Sequence, residues 1–135
     1  MGNHQTPVTV FIIDDDESVR SAMVRLIHSA KMNSISFASV DEFLDAVPFV
    51  ESACVVADIH MPGTSALELP HLLKERNSSM PVIFLSAQDT EESRTAAKCE
   101  GGAGFFRKPV DAQALIDAIN WLNKENSQQL NSKHY

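Results

Sequence analysis

The 135-residue chain, 44% hydrophobic and 21% charged, has the make-up of one ordinary globular domain, long enough to bury a full core. Its 18 acidic and 11 basic residues leave a formal net charge of -7, which argues against a phosphate-neutralising nucleic-acid surface built of clustered Lys and Arg. No stretch approaches the roughly 18 apolar residues of a membrane span, no signal-type segment opens the chain, and Cys54 and Cys99 lack metal or redox spacing, so a cytoplasmic protein with two free thiols is expected.

The apolar run 8–13 predicts a first strand, ended by Asp14, Asp15 and Asp16. A helix over 17–30 follows, with Val19, Met23, Leu26, Ile27 and Ala30 on one face at helical spacing. A short strand at 34–37 leads to a second helix, announced by Ser39 and Glu42 at capping-box spacing. Strand three, 53–57, ends at Asp58. Ser65 and Glu68 repeat the capping signal before a helix reaching Arg76, and Pro70 within it predicts a kink or a shifted start. Strand four, 81–85, precedes Ser86, and Asp89 opens a fourth helix to Glu100 that Gly101 stops. Phe105 and Phe106 form a short fifth strand before Lys108 and Pro109. The last helix, 111–124, buries Leu115, Ala118, Ile119 and Leu122, and 125–135 reads as a polar tail or linker stub.

Strands and helices that alternate five times predict an α/β domain, a five-stranded parallel sheet of the flavodoxin-like order 2-1-3-4-5. Ligands of such sheets bind outside the carboxyl ends of the strands. Those loops carry Asp14, Asp15 and Asp16, then Asp58 and His60, then Ser86, then Lys108. Crowded carboxylates repel, and a divalent cation is the usual remedy. Hard oxygen donors suit Mg²⁺, which keeps several waters and takes one or two carboxylates plus a phosphate. A hydroxyl from Ser86 and an ammonium from Lys108 suit phosphoryl oxygens, so the set contains the parts of a phosphoryl-transfer site. Asp16 suits the N-cap of the following helix better than a metal.

Over residues 7–124 the chain resembles the receiver domains of bacterial two-component response regulators. The resemblance rests on Ile13-Asp14-Asp15-Asp16-Glu17-Ser18-Val19-Arg20, Asp58-Ile59-His60-Met61-Pro62-Gly63, Ser86-Ala87, and Gly101 through Pro109. The opening segment is most similar to the subgroup containing the nitrogen-fixation regulator FixJ, whose output is usually a helix-turn-helix. The resemblance implies a (βα)5 receiver fold with Asp58 as phosphoacceptor. It implies Mg²⁺ held by Asp14, Asp15, Asp58 and the His60 main-chain carbonyl, with Ser86 and Lys108 on phosphoryl oxygens and a cis bond before Pro109. Ser86 and Phe105 would form the switch. The donor would be a phosphohistidine on a sensor histidine kinase or phosphotransfer protein. Signalling, and a possible homodimer, would use the surface of helix four, strand five and helix five, with Arg94, Lys98, Arg107 and Asp117. The domain itself would touch neither nucleic acid nor membrane.

Two positions depart from the family pattern: Ala66 stands where a second Gly is usual, and Gly102 where Ala is usual. His60 should overhang the site, where it could order or exclude the hydrolytic water; His4, His28, His71 and His134 are expected to be surface residues. Two rival functions remain open on the residues. One is a haloacid-dehalogenase-type phosphatase with Asp14 as nucleophile, which leaves Asp58 idle. The other is a pseudo-receiver that binds partners and is never phosphorylated.

Overall fold

The computed structural model describes residues 7–46, 53–88 and 90–132, with side chains through Lys124. Five strands, β1 (Thr9–Ile13), β2 (Asn33–Phe37), β3 (Ala53–Asp58), β4 (Val82–Ser86) and β5 (Gly104–Arg107), form one parallel sheet in the order β2-β1-β3-β4-β5. The helices are α1 (Glu17–Ser29), α2 (Val40–Ala46), α3 (Leu69–Glu75), α4 (Glu91–Cys99) and α5 (Ala112–Ser132).

Side-chain alternation along each strand splits the core into two layers. Val10, Ile12, Cys54 and Val56 pack with Met23 and Ile27 of α1 and Leu115 and Ile119 of α5. Phe11, Ile13, Val55, Ala57 and Phe84 point the other way, onto Phe43, Leu69, Leu73 and Ala97 of α2, α3 and α4. Because both faces are covered, β3 is apolar at five successive positions and buried throughout its six residues. Only its last residue, Asp58, breaks that run, where the strand reaches the loop end of the sheet.

Three helix boundaries differ from expectation. Ser65 caps a short 3₁₀ turn, Ala66–Glu68, through its hydroxyl and the Leu67 N–H at 3.2 Å, and α3 proper begins at Leu69. Pro70 therefore falls in the first turn, where its missing N–H has no intrahelical partner to lose, so the helix starts late instead of kinking. Ala66 opens that turn as a buried residue, while the left-handed backbone is taken by Gly63 at φ 86°. Helix α4 is capped by Thr90, whose Oγ1 accepts from Ser93 N at 3.0 Å; the expected opener, Asp89, lies outside the described residues. Helix α5 continues to Ser132 instead of ending near 124, because Lys, Glu, Gln and Leu with no Gly or Pro favour continued helix.

Gly102 has a steric cause. A Cβ there would come within 2.6 and 2.7 Å of the Phe84 ring and 2.9 Å of the Ala97 carbonyl, and Phe84 is fully buried. Gly102→Ala is expected to lose about 1–3 kcal/mol by overpacking, read as a lower urea midpoint at unchanged slope.

Candidate functional site

The carboxyl ends of β1, β3, β4 and β5 bring Asp14, Asp58, Ser86 and Lys108 to one point. Asp14, Asp58 and Ser86 are the buried polar residues among those described, exposed by 1%, 6% and 0%. Parallel register sets the placement: Ile13 lies opposite Ala57, Asp58 opposite Leu85 and Ser86 opposite Arg107, so successive strands deliver the residues at their carboxyl ends side by side. Lys108 N donates to Ser86 O at 2.8 Å, which continues the β4–β5 pairing one residue past the strand and starts the Lys108 side chain at the site.

Each carboxylate is held at both oxygens. Asp14 accepts from Asp16 N at 2.9 Å and from Lys108 Nζ at 2.8 Å; Asp58 accepts from His60 N at 2.9 Å and from Lys108 Nζ at 3.0 Å. Burial, the largest single influence on Lys108, would lower its pKa, but its hydrogen bonds to Asp14 and Asp58 and their charges together outweigh burial and hold the ammonium above its ordinary 10.5. With the folded value raised, the stability this proton contributes is complete below about 10.5 and disappears only as pH climbs through the higher folded value. Lys108 therefore adds no slope to unfolding near neutral pH.

Asp14, Asp15 and Asp58 each offer a carboxylate oxygen within 4.8 Å of the others. Three hard anionic donors this close, with Asp15 open to solvent, fit a small divalent cation. Asp16 faces away. Its Oδ1 accepts from Ser18 Oγ at 2.7 Å, Ser18 N at 2.9 Å and Val19 N at 3.4 Å, capping α1. The Ser18 side-chain bond, then the backbone bonds, lower its pKa. That stability is present above 3.8 and fades as pH falls through the lower folded value.

Of the remaining predicted residues, His60 reaches across the loops to place Nε2 2.9 Å from Ser86 Oγ. Phe105 is half-buried against the α2–α4 core layer, with the Arg94 guanidinium 5.2 Å from its ring centroid. The Lys108–Pro109 bond is cis. Lys98, Arg107 and Asp117 are exposed. His28 and His71 are exposed, and His4 and His134 lie outside the described residues. Cys54 is buried, which pushes its thiol up to about 12 and keeps it inert, and Cys99 is a free exposed thiol. Two contacts had no sequence signal. Arg20 donates to the Asp14 carbonyl at 2.7 Å, and both backbone groups of Gln88 bind Ser86 Oγ. The first needs the turn between β1 and α1, and the second would be made by any residue at that place in the loop.

Residues 10–120 match the response regulator receiver domain family. The chain belongs to that family. It is 38% identical over 128 residues to the transcriptional regulatory protein TdiR of Thauera aromatica, an alignment covering 93% of this chain and 56% of TdiR. It is 36% identical over 110 residues to the transcriptional regulatory protein FixJ of Azorhizobium caulinodans, covering 82% and 52%. Among solved structures, the response regulator StyR aligns with a TM-score of 0.81 at 33% identity over 95% of this chain and 66% of that one. FixJ-N aligns with a TM-score of 0.80 at 26% identity over 89% and 96%. The chain thus spans about half the length of the full regulators TdiR and FixJ. Phosphorylation on aspartate is the standard function of this family, so the receiver reading holds, and neither the phosphatase nor the pseudo-receiver alternative is favoured. TdiR and FixJ are transcriptional regulatory proteins. Among the described residues no helix is long and apolar enough to cross a membrane.

Proposed function

We propose that Asp58 is the phosphoacceptor of this receiver, charged from a phosphohistidine of a sensor histidine kinase or phosphotransfer protein. What supports Asp58 over Asp14 is the receiver-family match over residues 10–120, with Asp58 at the carboxyl end of β3. The Lys108 ammonium bridging Asp14 and Asp58, side chains 94 and 50 residues away, supports the site as a whole. An Asp58 carboxylate oxygen forms the new P–O bond while the P–N bond to the donor imidazole breaks, its electron pair staying on that nitrogen. Lys108 orients the carboxylate and faces the charge on the phosphoryl oxygens, so positioning and electrostatics do most of the catalysis.

Asp14, Asp15, Asp58 and the His60 main-chain carbonyl would hold Mg²⁺. When bound, the ion adds positive charge against the transferring group. Ser86 then contacts a phosphoryl oxygen. Phe105 follows it inward, away from Arg94, and changes the surface carrying Arg94, Lys98, Arg107 and Asp117, which signals downstream and can pair two copies. Contact with DNA, implied by the transcriptional relatives, falls to a separate domain. As a receiver charged by such a donor, the domain would act in the cytoplasm.

The test is the mass of the protein after acetyl phosphate with Mg²⁺: one phosphoryl group is gained, and a chelator prevents it. No gain under either condition overturns the proposal. Binding at the acidic cluster also predicts a rise in stability with Mg²⁺, about 2.7 kcal/mol when the ion stands at a hundred times its dissociation constant. Thermal melts in Mg²⁺ and in chelator check this, and Asp15→Asn should lose most of the difference.

A further inference from the structure

Ser86 Oγ has one hydrogen to give and two lone pairs, and all three are in use. The Gln88 carbonyl lies 2.7 Å away and can only accept, so the hydroxyl hydrogen points there. One lone pair takes the Gln88 N–H at 3.0 Å. The remaining lone pair faces His60 Nε2 at 2.9 Å, so the imidazole must be the donor, protonated at Nε2. No valence of Ser86 is left for a phosphoryl oxygen while this arrangement stands.

We infer that His60 is a positioning residue that locks the Ser86 hydroxyl in its resting place, and that the lock opens when Asp58 is phosphorylated. The inference rests on the phosphoacceptor reading above. For Ser86 to donate to a phosphoryl oxygen, its hydrogen must leave the Gln88 carbonyl, and rotation to another staggered well carries Oγ off His60 Nε2. One hydrogen bond therefore favours the unphosphorylated state. The same rotation of Ser86 frees His60 and Gln88, which line an open groove of about 960 Å³ together with Thr90, Glu91, Glu92 and Ser93 at the start of α4. Opening the lock thus alters a surface as well as the site.

Beryllofluoride with saturating Mg²⁺, a phosphoryl mimic on Asp58, supplies the test, followed through the Gln88 backbone amide resonance. His60→Ala keeps both Gln88 bonds to Ser86 and should bind the mimic roughly two- to tenfold more tightly than wild type, the worth of one net hydrogen bond. His60→Gln, which restores a donor N–H at similar reach, should return close to wild type. In the unaltered protein without beryllofluoride, ring ¹⁵N shifts should show His60 protonated at Nε2. Equal or weaker binding by His60→Ala, or a ring protonated only at Nδ1, overturns the lock. If wild type takes up no beryllofluoride, or Asp58→Asn takes it up equally well, the phosphoacceptor reading fails and the lock falls with it. If wild type binds, Asp58→Asn does not and His60→Ala matches wild type, the lock alone is overturned.

Discussion

Asp58→Asn will take up no phosphoryl group from acetyl phosphate and Mg²⁺, while Asp14→Asn will retain measurable uptake at a reduced rate. The asymmetry follows from what each carboxylate is asked to do. Asp58 must form the new bond, and an amide oxygen is too poor a nucleophile to replace it. Asp14 only holds charge, so its neutral counterpart weakens cation binding and loosens Lys108 without removing the attacking atom. Static geometry does not separate the two, since both are buried, both accept a backbone N–H and both are bridged by Lys108. Mass spectrometry of the two variants beside wild type does. Label lost only in Asp14→Asn would reverse the assignment and revive a first-strand nucleophile. Neither substitution should unfold the protein, because asparagine keeps the shape and each variant leaves Lys108 one carboxylate partner.

Lys108→Ala carries the second large effect, and it appears twice. Removing the cationic side chain that bridges the acidic pair should slow phosphorylation by acetyl phosphate roughly a hundredfold, the order seen when one preorganised donor to a developing charge is lost. It should also destabilise the fold. Asp14 and Asp58 would face one another nearly buried with no counter-charge, and breaking a buried pair by deleting one partner costs about 3 kcal/mol. Much of that loss should return on adding Mg²⁺, because a cation at the three-carboxylate cluster supplies the missing positive charge. Urea unfolding of wild type and Lys108→Ala, each with and without Mg²⁺, checks both parts. The variant should gain more from the ion than wild type does. An equal gain would mean that Lys108 and the cation do not share the acidic pair.

Much of this is legible in the sequence. The alternation of apolar runs with helical stripes led to the five-strand order, because a strand buried on both faces, such as β3, has to be apolar at successive positions. Asp58 and Ser86 stand out by position, as the polar residues that interrupt such runs at strand ends; Lys108 lies one residue further on, past Arg107, and is marked by the proline that follows it. The first capping pair reads correctly: Ser39 Oγ accepts from Glu42 N at 3.1 Å, and Glu42 reaches back to Ala38 N at 3.2 Å. In the second, the Ser65 hydroxyl accepts from Leu67 N instead and caps a 3₁₀ turn. The start of α3 and the end of α5 were less legible. A capping signal marks where a helical turn begins without saying whether it is α or 3₁₀, and the polar residues past 124 have helix propensity but no apolar stripe to reveal it.

What the chain determined by itself is therefore the inventory: which side chains stand at the strand ends, that their chemistry suits phosphoryl transfer, and that Asp16 belongs to the helix after it. These follow from local patterns of one or two turns. Tertiary structure decided the pairings. Lys108 between Asp14 and Asp58, Arg20 on the Asp14 carbonyl and His60 on Ser86 depend on strand register and loop paths across separations that no local pattern encodes. It also decided why Gly102 is glycine, because only the assembled core puts the ring of Phe84 where its side chain would be.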